Sequence, residues 1–301
     1  MLVREFADGQ EIDQVLLVRD RSRGRVRLGD RTGCVDVVAA PGLPACLEPG
    51  SVVRVSGRYE GGELAVRAAR PAGEGEYDLA ELLDGPPRSA AGMEADLREL
   101  LATVQDPHLR ALLDAVFGTG SPTWKLFRDA PAAKRYHQAY RHGLLEHSLT
   151  VAQAVSAISA TFPGIDRDVA VTGALLHDIG KLEAYTADPL AIDMTDLGKL
   201  QGEIPLGYYR IRRLIEDLPG FPEQLAAAVL HIILSHHGQL EHGSPVVPCT
   251  REATLVHMID NLGGRLGSFD RLEKELPDGS AWSPFDRALS GSAWFSERRA
   301  A

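Results

Sequence analysis

The hydrophobic pattern changes its period near position 75, and this change constrains the fold more than any other feature of the sequence. Residues 11–70 carry short, partly alternating apolar runs, whereas from about residue 92 apolar residues recur every three or four positions. A period of two is typical of strands, and a period near 3.6 is typical of helices. Stretches rich in Pro and Gly, at 71–75 and 84–87, separate the two patterns. We therefore predict three parts: a β domain (1–72), a linker (73–91) and an all-α domain (92–301).

Five short segments of the first part are rich in β-branched residues and are bounded by Gly and Pro pairs. Such segments are typical of strands that are joined by tight turns. Five strands in about sixty residues predict a small closed or nearly closed barrel, with an OB-like fold as the leading candidate. The predicted strands are 15–18, 24–28, 33–38, 52–56 and 63–67.

The second part shows amphipathic helical patterns that are interrupted by Gly and by Pro-Gly pairs. We expect these helices to form a bundle, because each pattern has one apolar face that must be covered. Beyond the first helical patterns, which begin near residue 92, the predicted helices are about 143–162, 166–178, 205–218, 222–237 and 250–265.

The charge of the chain is unevenly distributed. The net charge is −10, yet residues 1–75 hold 11 basic and 11 acidic side chains, so the excess of acid lies entirely in the rest. This balance argues against binding of nucleic acid by bulk charge, but it leaves room for a local basic surface. Three widely spaced cysteines give no disulfide framework, and no apolar run is long enough for a bilayer. We expect a cytoplasmic protein with no membrane partner, whose oligomeric state the sequence leaves open.

A candidate basic surface lies in the β domain. Residues 19–31 include six arginines, and three of them, Arg23, Arg25 and Arg27, alternate along one predicted strand. Alternation places the three guanidinium groups on one face, where they could follow the backbone of single-stranded nucleic acid. An ordinary solvated strand face is the alternative, since Phe6 and Tyr59 are the only aromatic residues before Tyr77 that could stack on bases.

A His-Asp doublet marks the end of a predicted apolar helix. His177 and Asp178 directly follow the run 169–176, and Gly180 breaks the helix just after them. An imidazole nitrogen and a carboxylate oxygen from adjacent residues can reach one cation. A helix cap is the alternative, but a carboxylate near a helix C-terminus is disfavoured by the helix dipole, which weakens that interpretation.

Further metal-competent side chains share this placement. His236 and His237 also end an apolar helix, His147 lies beside an apolar stripe, and Asp260 continues an inward helix face. A buried aspartate is costly unless it is paired or bound to a metal. Nitrogen and oxygen donors without a thiolate suit Mn²⁺, Fe, Zn²⁺ or Mg²⁺. Such an ion would activate water against a phosphoester, and Lys181 could neutralise charge on the phosphate.

These residues resemble the H…HD…D signature of the HD-domain superfamily. Longer strings resemble the YhaM family more specifically, over about residues 10–275. Members of that family are bacterial 3′-to-5′ exoribonucleases with an N-terminal OB-fold and a C-terminal HD domain. The strings that carry the resemblance are 130–137, 143–149, 175–181, 234–238, 243–245 and 257–262.

The resemblance implies roles for individual residues. It implies a substrate contact for His137 and Tyr140. The sequence departs from the family pattern at Glu203, which replaces a metal-binding His, and at Gln138, which replaces a second His. Glu203 could ligate a hard cation or could be a surface residue. The implied metal ligands are His147, His177, Asp178, Glu203, His236 and Asp260, and the candidate catalytic residues are Asp178, Lys181 and His237.

The implied function is a metal-dependent phosphodiesterase that uses metal-activated water. We predict a 3′-to-5′ exoribonuclease that acts on single-stranded RNA, with DNA as a further substrate, and that binds one or two divalent ions. Mn²⁺ is favoured over Fe, Mg²⁺ and Zn²⁺. Two alternatives stay open: an HD-domain hydrolase of nucleotides or cyclic nucleotides, and a non-catalytic regulator that binds nucleic acid and has a degenerate HD site.

Overall fold

The chain forms two compact units. The first comprises Met1–Gly85 with Asp188–Ala191, and the second comprises Pro86–Ala187 with Ile192–Ala301. A computed structural model describes the following residues: 1–22, 25–39, 46–83, 85–134, 138–186, 188, 190–274, 276 and 279–296.

The first unit is a closed five-stranded barrel with the strand order β1-β2-β3-β5-β4. Strands β3 and β5 pair in parallel, and the other neighbouring strands pair antiparallel. The predicted fold class, an OB-like β domain followed by a helical domain, is confirmed, although the strands are longer than predicted. The strands are β1 (Gln10–Ser22), β2 (Arg25–Asp30), β3 (Gly33–Ala39), β4 (Val52–Glu60) and β5 (Glu63–Pro71).

Alternation along the strands builds the barrel core. Val26 and Leu28 of β2 point inward, while Arg25 and Arg27 point outward. The inward residues of all five strands form one apolar cluster. At Gly57 of β4 a Cβ atom would overlap the backbone of β5, so a glycine is needed where these two strands come close.

The second unit is helical. Its helices surround a single apolar core, to which α5, α6, α10 and α11 contribute most of the inward faces around the candidate site. The helices after the barrel, of which α1 belongs to the first unit, are α1 (Leu79–Leu82), α2 (Ala90–Ala102), α3 (Pro107–Phe117), α4 (Pro122–Asp129), α5 (Gly143–Ser159), α6 (Arg167–Leu176), α7 (Lys181–Ala184), α8 (Asp196–Gln201), α9 (Glu203–Glu216), α10 (Glu223–Ser235) and α11 (Arg251–Lys274).

Local sequence explains where several of these helices begin. Asp106 and Ser121 each accept hydrogen bonds from the first helical turn, and each is followed by a proline at the first helical position. Asp166 accepts a hydrogen bond of 3.1 Å from the backbone N–H of Val169 and so caps α6.

Helix α11 differs most from its prediction. It was expected to end near residue 265 but continues to Lys274. The added turns are stabilised by the C-terminal segment, which returns along them through an ion pair between Arg271 and Asp286 and through contact between the rings of Phe269 and Phe295. Among the described residues, no helix has the length and apolar character that crossing a bilayer requires.

Candidate metal centre

The His-Asp doublet lies in the turn that links α6 to α7. His177 is the residue that ends α6, and both His177 and Asp178 are almost completely buried. The ring Nδ1 of His177 lies 2.7 Å from the carbonyl oxygen of Ala174. An N–H at Nδ1 therefore donates to one of the carbonyls left unpaired at the helix end, and Nε2 turns toward the centre.

The end of α10 repeats this arrangement. His236 ends the helix, and its Nδ1 lies 2.8 Å from the carbonyl oxygen of Ile233. The two helix ends can come close because Gly173 of α6 has no Cβ. A Cβ at this position would overlap the side chain of Ile232 in α10. As a result, the rings of His177 and His236 lie with their centroids 5.0 Å apart.

Two further helices complete the cluster. Helix α5 supplies His147, whose Nε2 lies 3.2 Å from His177 Nε2 and 3.3 Å from Asp178 Oδ2. Helix α11 supplies Asp260, whose Oδ1 lies 3.0 Å from His147 Nε2. The structure thus brings five predicted ligands, His147, His177, Asp178, His236 and Asp260, together from the ends or inner faces of four helices.

The electrostatic field of this cluster favours positive charge. Burial disfavours the charged imidazolium, yet the neighbouring Asp178 raises the pKa of His177 to about 10. Burial also favours a neutral acid, but Lys181 and His177 hold the pKa of Asp178 well below its usual range. Since the imidazoles attract protons so strongly, the same position would attract a cation.

The donor set fits a divalent metal ion. Donor atoms of His147, His177 and Asp178 all lie within 4.8 Å of one another. Nε2 of His236 is buried without a hydrogen-bond partner and lies 3.5 Å from Asp178 Oδ1. Such an unsatisfied nitrogen is costly unless it binds something. Imidazole and carboxylate donors without thiolate suit the ions that the sequence predicted.

Lys181 lies against the same carboxylate. Its Nζ is 2.6 Å from Asp178 Oδ2, and although burial opposes its charge, Asp178 raises the pKa of Lys181. The ammonium group is therefore charged, and the charge that it neutralises in this structure is that of Asp178. A direct contact between Lys181 and a phosphate stays a prediction.

Glu203 and His237 lie together beside the centre. His237 Nε2 is 3.7 Å from Glu203 Oε1, and Nδ1 of His237 is 2.9 Å from the carbonyl oxygen of His242. Burial and the neighbouring His236 lower the pKa of His237, so its ring is neutral near pH 7. Glu203 is the first residue of α9. Its backbone packs so closely on Gly180 that a Cβ at Gly180 would overlap the carbonyl oxygen of Glu203. This contact places Glu203 next to the doublet's turn.

The predicted substrate contacts are less closely grouped. His137 and Arg23 lie outside the described residues. The hydroxyl of Tyr140 donates to the carboxylate of Glu146. Arg25 and Arg27 lie on the outer face of the barrel, and Arg27 Nε is 3.1 Å from Asp36 Oδ1.

Two residues that contact the histidines of the cluster were missed by the sequence reasoning. Gln138, noted only as a departure from a family pattern, has its Oε1 3.1 Å from His147 Nδ1. His257 has its Nδ1 2.7 Å from the carbonyl oxygen of His236. The sequence could have pointed to His257, because it lies three residues before Asp260 on α11. Residues at this spacing are neighbours on one face of a helix.

Comparisons with known proteins identify a domain family over the segment that carries this cluster. The HD domain family matches residues 144–264. The chain is 29% identical over 287 residues to the 3′-5′ exoribonuclease YhaM of Geobacillus sp. strain WCH70, with 89% of this chain and 87% of that protein covered. It is 28% identical to the YhaM proteins of Bacillus velezensis and Bacillus subtilis strain 168, with 89% of this chain and 90% of each protein covered. No solved structure matches significantly.

The resemblance to the YhaM family is therefore confirmed, and the chain is a hydrolytic enzyme that carries an HD domain. The HD domain and the His-His-Asp cluster fit a divalent metal site. The alternative of a non-catalytic binding protein gains no support from these findings.

Proposed function

We propose that this HD-domain hydrolase is a metal-dependent 3′-to-5′ exoribonuclease that acts on single-stranded RNA. The observation that carries the proposal is the convergence of five imidazole and carboxylate side chains in one buried cluster. Relatives that carry the exoribonuclease name align along nearly the whole chain, which supports the choice of RNA among phosphodiester substrates. A cytoplasmic location is part of the same proposal.

The five clustered residues would hold the first divalent ion, with Mn²⁺ as the favoured one. When bound, such an ion polarises a phosphoryl oxygen and lowers the pKa of water. The protein's own contribution is orientation. The Nδ1 bonds of His177 and His236 to helix-end carbonyls fix the tautomer that leaves Nε2 free to bind.

Glu203 and His237 would hold a second ion or position the water that attacks the phosphate. His237 is neutral near pH 7, and its Nε2 faces the Glu203 carboxylate. A neutral imidazole beside a carboxylate can accept a proton, which is the role we assign to His237. Lys181 keeps Asp178 ionised and in place through its 2.6 Å contact.

The barrel would add an electrostatic contact to the RNA strand. Arg25 lies on the exposed face of β2 together with Arg27, at the spacing that a nucleic-acid backbone could follow. We propose this surface as an electrostatic contact to phosphates rather than as a reader of bases. Arg23 stays a candidate for the same role from its place in the sequence.

A defined RNA substrate tests the proposal. We expect the protein with added Mn²⁺ to shorten a 5′-labelled 20-nucleotide RNA progressively, and to stall on the same RNA with a 3′-phosphorothioate end. A 5′-blocked RNA should be degraded as fast as an unblocked one. Intact RNA in the presence of Mn²⁺, under conditions where a known exonuclease digests it, would contradict the proposal.

One observation favours a second candidate, a hydrolase of nucleotides or cyclic nucleotides. The rings of Phe6 and Tyr59 pack edge to face on each other with centroids 5.6 Å apart, which reduces their value for stacking on bases. A panel of mononucleotides, cyclic dinucleotides and RNA separates the two, since a specificity constant for RNA below that for the small substrates would favour this candidate.

A further inference from the structure

The C-terminal segment, residues 280–296, folds into a small hairpin. The backbone N–H of Ser283 donates to the carbonyl of Ala293 over 2.9 Å, and that of Asp286 donates to the carbonyl of Gly291 over 2.8 Å. Ser283 and Ala293 are buried, so one side of the hairpin packs on the protein. The other side faces solvent.

Two of the three tryptophans of the chain stand on that outer side. Trp282 and Trp294 are bridge partners, and partners across an antiparallel pair project from the same face. Their exposed fractions are 60% and 57%. Exposed indoles are uncommon, and here two are held side by side by a fixed backbone.

The hairpin is fixed to the helix that supplies a metal ligand. Besides the contacts of Arg271 with Asp286, Arg265 donates to the carbonyl of Leu289 over 3.3 Å. Arg271 lies eleven residues after Asp260, which is three helical turns on the same face and about 16 Å along α11. The hairpin that carries the two indoles is therefore anchored on α11 at a point about 16 Å beyond Asp260 along the helix.

We propose that Trp282 and Trp294 form a base-stacking platform for single-stranded RNA upstream of the nucleotide that is cleaved. This inference rests on the proposed function, because it needs an RNA substrate. Flat aromatic faces bind bases of any sequence, as an exonuclease requires. The platform supplies stacking surface that the barrel, with Phe6 and Tyr59 packed on each other, does not provide.

The side chains of the hairpin fit single-stranded RNA as the occupant of this surface, because the exposed indoles can stack on bases. Arg287 lies between Trp282 and Trp294 in the sequence and is exposed in the turn of the hairpin. Its positive charge suits the phosphates of RNA.

Binding to a hydrolysis-resistant RNA tests the platform separately from the reaction. The holoenzyme is titrated into a fluorescein-labelled 20-nucleotide oligouridylate with phosphorothioate linkages, and anisotropy gives the dissociation constant. We expect Trp282→Ala and Trp294→Ala each to weaken binding about 5- to 100-fold. Trp282→Phe and Trp294→Phe should restore most of it, because a phenyl ring still stacks. Phe162→Ala, at another exposed aromatic residue, is the control and should bind like the parent protein.

Other outcomes overturn one proposal or the other. Binding of both alanine variants within twofold of the parent protein would overturn the platform, as would a parent protein that fails to bind this RNA. A fall in mass by light scattering in the alanine variants, with unchanged RNA binding, would identify the patch as an interface between copies. Weaker binding of the variants without any RNA cleavage by the parent protein would overturn the exonuclease proposal and leave the platform in place.

Discussion

Charged side chains meet in two regions of this protein under opposite conditions. In the helical unit, Asp178 is 2% exposed and touches His147, His177 and Lys181. In the barrel, Arg27 is 50% exposed and pairs with Asp36, which is 33% exposed. Water screens the second pair and not the first, so the same kind of charge has a far larger effect on its neighbours in the helical unit.

The two kinds of charged site differ in what they cost the folded protein. Burying a cluster of imidazoles and carboxylates costs desolvation free energy that a bound ion can offset. Arginines on an exposed strand stay hydrated, so they carry little of this cost. The buried cluster is therefore the stronger indication of chemistry.

Asp178→Asn should have the largest effect. Asn keeps the shape but removes the charge that His177, His147 and Lys181 face, so we expect activity on RNA and bound metal to fall by more than about a hundredfold. Metal content by mass spectrometry and the rate of RNA shortening measure this. The matched control is Asp36→Asn in the barrel, which should stay within about twofold. Equal losses in both variants would contradict the larger effect expected of the buried carboxylate.

Gln138→Leu should have the next largest effect. Its side-chain oxygen accepts from His147 Nδ1 over 3.1 Å and fixes the ring that faces the centre. Losing such an outer partner typically costs 10–100-fold in metal affinity, so we expect a loss in that range. Competition with a chelator dye measures the affinity. Gln153→Leu, on the exposed face of α5, is the control. An unchanged metal affinity in Gln138→Leu would show that the contact of Gln138 with His147 does not support metal binding.

The stability of the metal-free protein should depend on pH through His177. Its folded pKa of about 10 exceeds the unfolded value near 6.5. The stabilisation is therefore complete below about pH 6.5 and is lost as pH rises toward 10, with a slope of up to about 1.4 kcal/mol per pH unit. Urea unfolding in chelator at several pH values measures the slope. Bound metal should flatten it, because the metal replaces the proton. A metal-free protein whose stability is constant from pH 7 to 9 would contradict this account.

Arg25→Ala with Arg27→Ala should have the smallest effect on stability, at most about 1 kcal/mol, because both side chains are exposed. If the face binds phosphates, the double variant should lower the salt dependence of RNA affinity by about one unit of slope per arginine. Anisotropy titrations at several salt concentrations give the slope. Arg58→Ala with Arg67→Ala, two exposed barrel arginines paired with glutamates, is the control. An unchanged slope would leave β2 as an ordinary solvated strand.

Local sequence predicted much of the fold because its signals act over short distances. The change of hydrophobic period, the Gly and Pro turns and the capping residues each determine a conformation within a few residues. Element ends were less exact. Helix α6 ends at Leu176, just before the doublet, and α11 continues past its three glycines because the C-terminal hairpin packs on it.

The residue pattern along the chain was enough to predict a β barrel followed by a helical HD domain, and its motifs named the donors His147, His177, Asp178, His236 and Asp260. The tertiary structure was needed to show that these side chains meet in one buried cluster. It was also needed to show that Gln138 contacts the ring of His147, that His257 contacts the backbone of His236, and that two indoles share one outer face. The physical reason is distance along the chain. Helices α6 and α10 approach only because Gly173 admits Ile232 from some sixty positions later, and no local pattern records such a fit.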